Sequence, residues 1–343
     1  MRISAHELFD AMQRRVLLDV RTPAEYANGH IPGALSLPLF SNEERAAVGT
    51  LYKQQSPEAA FLKGLEYAGA KLRHYVEEAA RLAPDRRVVL HCWRGGQRSG
   101  SMGWLLGSAG FDVLTLIGGY KAYRQMAQQE LAQTQRPLVI LGGPTGSGKT
   151  RVLAALQRAG ETVVDLEGLA RHKGSSFGAL GEAPQPSVEQ FENILHDAWR
   201  RLPLRGRVWL EDESRSIGRV YLPDPFWRLM LAAPIVMLEM PLAWRIQNLV
   251  EDYAHFPRPE LEAAFQRIAK RLGGQHVQAA LQALANDDYA SAAAIALRYY
   301  DKAYQHTLLR RQPESIIRLE VEDRQPERIA QQLMALIDAA VQR

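Results

Sequence analysis

A single cysteine among 343 residues excludes an intrachain disulfide and argues against a cysteine-based zinc site. No apolar run approaches membrane-spanning length, and the first residues lack the apolar core of a secretory signal. No internal repeat, low-complexity tract or known RNA-binding module is present. Charge of neither sign dominates. The net charge of +4 and pI near 9.1 are compatible with a polyanionic partner but do not demand one. What remains is the composition of a soluble globular protein, 46% hydrophobic and 23% charged. Its length exceeds one ordinary core, so two domains are expected. A free thiol without a signal segment suits a reducing cytoplasm, and a monomer is the expected state.

The lone cysteine is the first informative residue. It lies in His91-Cys92-Trp93-Arg94-Gly95-Gly96-Gln97-Arg98-Ser99-Gly100. Val88-Val89-Leu90 before it reads as a buried strand, and Ser99 to Leu106 after it as the start of a helix. Cys92 then sits at a strand's carboxyl end, in a glycine-containing loop that runs into a helix N-terminus. Converging amides, the helix dipole, Arg94 and Arg98 all favour a thiolate. A lone cysteine is more commonly buried and inert, but its neighbours here are those of a reactive one.

Around it, strands alternate with helices, which implies a mostly parallel α/β sheet. Ser4-Ala5-His6-Glu7 has capping-box spacing and predicts a helix starting there. Val16 to Val20 predicts a strand. Residues 41 to 83 predict helix, with Leu62, Leu65, Leu72 and Val76 on one stripe. Val113 to Ile117 predicts a strand closed by Gly118-Gly119-Tyr120. A glutamine-rich stretch ends before Pro137, which sets domains of 1–135 and 136–343.

The second domain opens on a strand, Pro137 to Leu141, followed by Gly143-Pro144-Thr145-Gly146-Ser147-Gly148-Lys149-Thr150. This is G-x-x-x-x-G-K-[ST] between a strand and a helix, the context the motif needs. Gly143, Thr145, Gly146, Ser147 and Gly148 would offer backbone amides to phosphate. Lys149 would reach the terminal oxygens, and Thr150 could hold Mg2+. Val208 to Arg215 reads as a strand ending in Glu211-Asp212-Glu213. An acid there, Asp212 or Glu211, could hold the metal or its water; a solvated acidic turn is the plainer alternative. The basic loop Asp165 to Gly178, with Arg171 and Lys173, also sits at a strand's carboxyl end, where open α/β sheets bind ligands. Arg215 joins these as a phosphate-binding candidate. Residues 242 to 312 form a helical insertion. Within it, Arg298, Tyr299, Lys302 and Arg310 interleave aromatics with bases, as a nucleic-acid surface would. An amphipathic helix with a tyrosine edge on the core fits equally well.

Asp19 to Tyr26, Gly29 to Ala34, the cysteine loop and Gly118-Gly119-Tyr120 together resemble a rhodanese domain. There the loop cysteine carries sulfur or selenium, which implies that role for Cys92. The loop departs from common rhodaneses by one extra residue. Cys92 to Arg98 is C-x5-R, the length of the rhodanese-fold dual-specificity phosphatases, and a wider loop can cradle a tetrahedral anion. The whole order, from rhodanese stretch to P-loop to DLEGLARHKGSSFG to WLEDESRSIG, resembles the bacterial tRNA 2-selenouridine synthases. The fold so implied is a rhodanese-like parallel-sheet domain followed by a P-loop NTPase-like α/β domain. The activity so implied acts on the wobble 2-thiouridine of tRNAs for Lys, Glu and Gln. Geranyl diphosphate S-geranylates the sulfur, and selenophosphate then supplies selenium, held on Cys92 as a selanyl adduct. Cys92, Arg94, Arg98 and Lys149 would be the catalytic residues. No resident cofactor is called for; Mg2+, if used, would sit on Thr150 and Asp212. Two other readings stay open on the residues alone. One is a sulfurtransferase fused to an ATP-dependent kinase; the other is a rhodanese-fold phosphatase with a regulatory P-loop domain.

Overall fold

Continuous apolar runs such as Val88-Val89-Leu90 and Leu138 to Leu141 fit strands covered on both faces, and two parallel sheets bury them. The structure, a computed structural model, describes residues 1–309 and 311–341, apart from the side chains of Thr307, Ala340 and Val341. It divides into two units. One gathers Met1–Glu130 with Glu192–Asp197; the other gathers Leu131–Phe191 with Ala198–Arg343.

The first unit holds strands β1 (Arg2–Ile3), β2 (Val16–Asp19), β3 (Leu35–Ser36), β4 (Arg87–His91) and β5 (Asp112–Leu116). They pair in the order β1-β5-β4-β2-β3, all parallel. Central β4 ends at His91, so Cys92 emerges from the middle of the sheet at its carboxyl edge. Two local expectations change. Ser4 does not cap a helix: its amide and hydroxyl both donate to the Glu7 carboxylate, at 2.8 and 2.6 Å, and the helix begins afterwards, at Leu8–Met12. Residues 42 to 82 form three helices, Asn42–Gln54, Pro57–Gly69 and Leu72–Leu82, but of the expected stripe only Val76 packs against the core. Leu62, Leu65 and Leu72 are exposed, while Pro57–Gly69 turns the small Ala60 and Gly64 inward. Small residues permit a closer approach than leucines would, and the leucines are left outside.

The second unit holds β6 (Leu138–Gly142), β7 (Thr162–Val164), β8 (Val208–Glu211), a two-stranded hairpin of β9 (Ser216–Ile217) and β10 (Val220–Tyr221), β11 (Ile235–Glu239) and β12 (Ile316–Glu320). The large sheet runs β12-β11-β6-β8-β7, all parallel. From β6 the chain goes to one side for β7 and β8 and to the other for β11 and β12. The crevice where such a sheet binds ligands therefore opens at the carboxyl end of β6. Its core gathers Leu141, Leu156, Trp209, Leu238, Leu333 and their neighbours, with the helix Pro326–Val341 closing one face through Ile329, Leu333 and Ile337. Five helices, from Leu242–Tyr253 to Tyr289–Leu308, form the expected insertion and carry a separate apolar cluster. Among the described residues, no helix is long and apolar enough to cross a membrane.

Candidate active sites

In the first unit, the cysteine loop is held from beneath by two buttresses. Tyr120 N–H donates to Cys92 O at 2.9 Å and Lys121 N–H to Trp93 O at 3.0 Å. Gly119 has φ +60°, and a Cβ there would overlap Cys92 O and Gly95 N. Gly95 itself has φ +64° and no room for a Cβ against Leu116 O. The other buttress is the Asp19-Val20-Arg21 stretch. Arg21 is 1% exposed, takes both oxygens of Asp19, donates to Gly29 O and lies 3.8 Å over the Tyr120 ring. The signature residues on either side of the loop thus act through its shape.

Cys92 is 4% exposed, with Sγ 3.3 Å from Ser99 Oγ. Burial pushes its thiol up. The Ser99 hydroxyl, the Ser99 and Gly96 amides and the Arg98 guanidinium together outweigh that and hold it below the ordinary thiol range. Arg98 is fixed by two hydrogen bonds to Glu25, at 2.6 and 3.1 Å. Arg94 is exposed. The loop opens into a broad cleft whose far wall carries Arg45, Lys53 and Phe61. These three were not foreseen from the sequence. A thiolate at the base of an amide-lined, cationic cleft can attack an anionic donor. We expect Gly119→Ala to distort this loop, at a cost on the order of 2–4 kcal/mol from a forced left-handed residue and backbone overlap. Gly96→Ala, whose Cβ meets nothing within 4 Å, should be tolerated. Thermal denaturation and iodoacetamide labelling of Cys92 compare the two.

In the second unit, the loop Gly143 to Gly148 leaves the centre of the sheet and caps the helix Lys149–Arg158. Lys149 Nζ donates to Gly143 O at 2.9 Å, reaching back across the cradle. Outer contacts fix the loop. Arg245 Nε donates to Thr145 O at 2.9 Å and Asn248 Nδ2 to Gly146 O at 2.8 Å. Tyr304 accepts from Gly143 N–H at 2.8 Å and donates to Asp212 Oδ2 at 2.9 Å. Ser147 Oγ is buried and makes no hydrogen bond among the described residues. Sequence alone did not single out Arg245, Asn248 or Tyr304.

The acids are distributed differently from expectation. Asp212 has both carboxylate oxygens engaged by side chains. Its oxygens are taken by Tyr304 and by Arg311, the latter at 2.8 Å, and the pair is buried. It does not suit a Mg2+ beside Thr150. The acid at Thr150 is Glu167, whose Oε2 accepts from Thr150 Oγ1 at 3.1 Å. Glu213 pairs with Glu167, and the loop at Gly174 lies against both carboxylates. Burial raises Glu167 and raises Glu213 far more; Lys149 opposes both, while the charge of Glu167 adds to the rise at Glu213. A hydrogen bond between two carboxyls requires a shared proton. Glu211, 2% exposed, accepts from Glu167 N–H at 2.7 Å and leaves Oε2 without a partner among the described residues. Burial first, then the Asp165 charge, lifts it well above the ordinary carboxylate range.

That lift predicts a pH-dependent gain in Glu211→Gln. The folded state favours protonated Glu211, so its ionisation costs stability as pH rises through the folded pKa. The amide cannot ionise and keeps an acceptor for Glu167 N–H. The variant should match the wild type near pH 4 and exceed it above neutrality, by on the order of 1 kcal/mol, or about 2–4 °C in Tm. Thermal melts across pH read the difference.

The remaining expected residues have other contacts. Arg171 caps its own short helix and donates to Pro184 O at 3.2 Å; Lys173 pairs with Glu182 at 3.5 Å; Arg215 pairs with Asp224 at 3.5 Å. On the helix Tyr289–Leu308, Arg298 and Lys302 are exposed. Tyr299 does not stand out as a stacking platform. It is half-buried, its ring 5.0 Å from Tyr300 and its hydroxyl accepting from Arg271 at 3.2 Å. The helix keeps its aromatic edge on the core. Arg310 lies outside the described residues.

Residues 136–333 match the family model of the tRNA 2-selenouridine synthase AAA domain, and residues 4–126 match that of the rhodanese-like domain. A tRNA 2-selenouridine synthase from Nitrosomonas europaea is 41% identical over 244 residues, which are 69% of this chain and 63% of that relative's length. Among solved structures, the N-terminal domain of a protein from Clostridium difficile 630 is 42% identical. The match covers 37% of this chain and 98% of that one, with a TM-score of 0.34. A rhodanese-related protein from Thermoplasma volcanium is 18% identical over 36% of this chain and 91% of its own, with a TM-score of 0.24.

Proposed function

The chain belongs to the tRNA 2-selenouridine synthase family, and from that premise we propose that it converts the wobble 2-thiouridine of tRNAs for Lys, Glu and Gln to 2-selenouridine in two steps. In the first, the C2 sulfur attacks C1 of geranyl diphosphate. A C–S bond forms, the C–O bond to diphosphate breaks, and the N3 proton leaves. In the second, selenium from selenophosphate adds at C2 and the geranylthiolate departs. Alkylation makes the second step feasible, because a neutral thiocarbonyl sulfur is a poor leaving group and a thiolate is a good one. Both donors are phosphate compounds, and both steps run in the cytoplasm.

One observation carries this reading: a single chain contains two separate anion cradles, one with a nucleophile and one without. The loop from Gly143 to Gly148 offers amides and Lys149 and holds no thiol, which suits stabilisation of a departing diphosphate. The Cys92 loop offers a thiolate between amides and Arg98, which suits opening a selenophosphate. The decisive experiment incubates the full chain with 2-thiouridine tRNA and geranyl diphosphate, then adds selenophosphate, and identifies nucleosides after digestion. S-geranyl-2-thiouridine followed by 2-selenouridine is the expected sequence. Thiouridine left unmodified, with tRNA-independent ATP turnover instead, would replace this reading with a kinase.

A further inference from the structure

Beside the phosphate cradle lies a chamber of about 540 Å3, including its open mouth, that the reaction chemistry has not yet used. Its wall is apolar, and its only contribution from the 143–150 loop is Thr145. About 60 Å3 of it is open to the centre of a water-sized sphere, several times the roughly 10–15 Å3 that a single water needs. An apolar space of this size next to a phosphate cradle fits a ligand with an anionic head and an apolar tail. We infer that this chamber receives the prenyl tail of the diphosphate held at Lys149, and that Ala296 sets how long a tail it accepts. The inference rests on the geranylation reading and adds to it the residues that hold the tail.

The helix Tyr289–Leu308 supplies the measure. Tyr304 sits on the cradle, bound to Gly143 N–H. Tyr300 comes one turn away and receives Ser176 N–H at the chamber's polar edge. Ala296 and Ala292 follow on the same face and line the chamber, both nearly fully buried. At 1.5 Å per residue, Ala296 lies about 12 Å and Ala292 about 18 Å along the axis from Tyr304. The eight main-chain carbons of a geranyl group, at bonds near 1.5 Å, span on the order of 10 Å. Its end therefore falls at the level of Ala296, where only a methyl group intrudes, and short of Ala292. Both positions being alanine keeps the passage open; leucine or phenylalanine there would fill it.

Calorimetric binding of inorganic diphosphate, dimethylallyl diphosphate and geranyl diphosphate to the full chain tests this. Burial of apolar carbon gives about fourfold per methylene, so wild-type protein should bind geranyl diphosphate at least about a hundredfold tighter than inorganic diphosphate. Ala296→Phe should weaken geranyl diphosphate by about tenfold or more and leave dimethylallyl diphosphate within about twofold. That contrast between the two prenyl ligands is not what misfolding would give, since misfolding weakens every ligand together. Geranyl diphosphate binding no tighter than inorganic diphosphate, or an Ala296→Phe effect equal for both prenyl ligands, would overturn the inference. The geranylation reading is judged separately, by whether wild-type protein alkylates thiouridine tRNA at all.

Discussion

Cys92→Ser is expected to leave S-geranylation of 2-thiouridine tRNA within about twofold of wild type and to cut 2-selenouridine formation by at least about a thousandfold. The reason is the ionisation of the nucleophile. In the wild-type loop the amides of Ser99 and Gly96, the Ser99 hydroxyl and Arg98 outweigh burial and hold the thiol below the ordinary thiol range, which favours the thiolate. A serine hydroxyl in the same cradle stays protonated. Alkylation of Cys92 by iodoacetamide should accordingly reach half its plateau rate below the pH of about 8.5 typical of a free cysteine. A wild-type profile centred at or above that pH would remove the basis of the argument. The adduct that forms is also predictable from electron count. Taking selenium onto sulfur would leave phosphorus reduced by two electrons, as phosphite. In place of the selanyl adduct that the resemblance implies, attack of the thiolate on phosphorus releases selenide with no change of oxidation state and leaves a phosphoryl group on Cys92, which water then removes as phosphate to restore the thiol. Intact-mass analysis of the Cys92 protein quenched with selenophosphate should therefore find phosphorus on the protein and selenide in solution; selenium on the protein with phosphite in solution would reverse the assignment.

The parts legible in the sequence were those written in contiguous residues. The loop 143–150 declares itself because its glycines, lysine and threonine all act within one turn of chain, and both parallel sheets announce themselves as apolar runs. The choice among Glu211, Asp212 and Glu213 was not legible in the sequence. The strand ends at Glu211, and the chain turns at once, with Glu213 N–H donating to Glu211 O at 2.9 Å, so Glu213 comes to Glu167 while Asp212 goes elsewhere. Asp212 was favoured on motif habit, and the structure gives it to Tyr304 and Arg311. Those partners lie 92 and 99 residues away in the chain, and no local signal reports such a pairing. Glu167 was visible as part of a basic loop but not as the partner of Thr150. The apolar chamber has walls from several separate helices, so no single stretch of sequence contains it. The leucines at 62, 65 and 72 misled for the opposite reason: periodicity reports that a helix has an apolar face, but not whether anything covers it.

Lys149→Ala is expected to lower kcat/KM for geranylation by about a thousandfold or more, with selenation of tRNA that already carries S-geranyl-2-thiouridine retained. Lys149 is the cation that reaches over the cradle, bonded to Gly143 O, and diphosphate develops its charge in the transition state as the C–O bond breaks. Loss of one preorganised neutral donor from such a site costs about 10²–10³ in rate, and a full charge in a partly buried site contributes more. Lys149→Arg should recover part of the rate, because the charge returns in a different shape. The neighbouring acids give an independent readout. Lys149 now holds Glu167 and Glu213 below where burial and mutual repulsion would push them. Without it both rise further, and groups raised in the folded state destabilise it as pH climbs through their folded pKa. The alanine variant should therefore lose little stability near pH 5 and progressively more toward pH 8, a slope that thermal melts can measure. A variant with wild-type geranylation and a flat stability difference across that range would place the diphosphate elsewhere than the loop from Gly143 to Thr150.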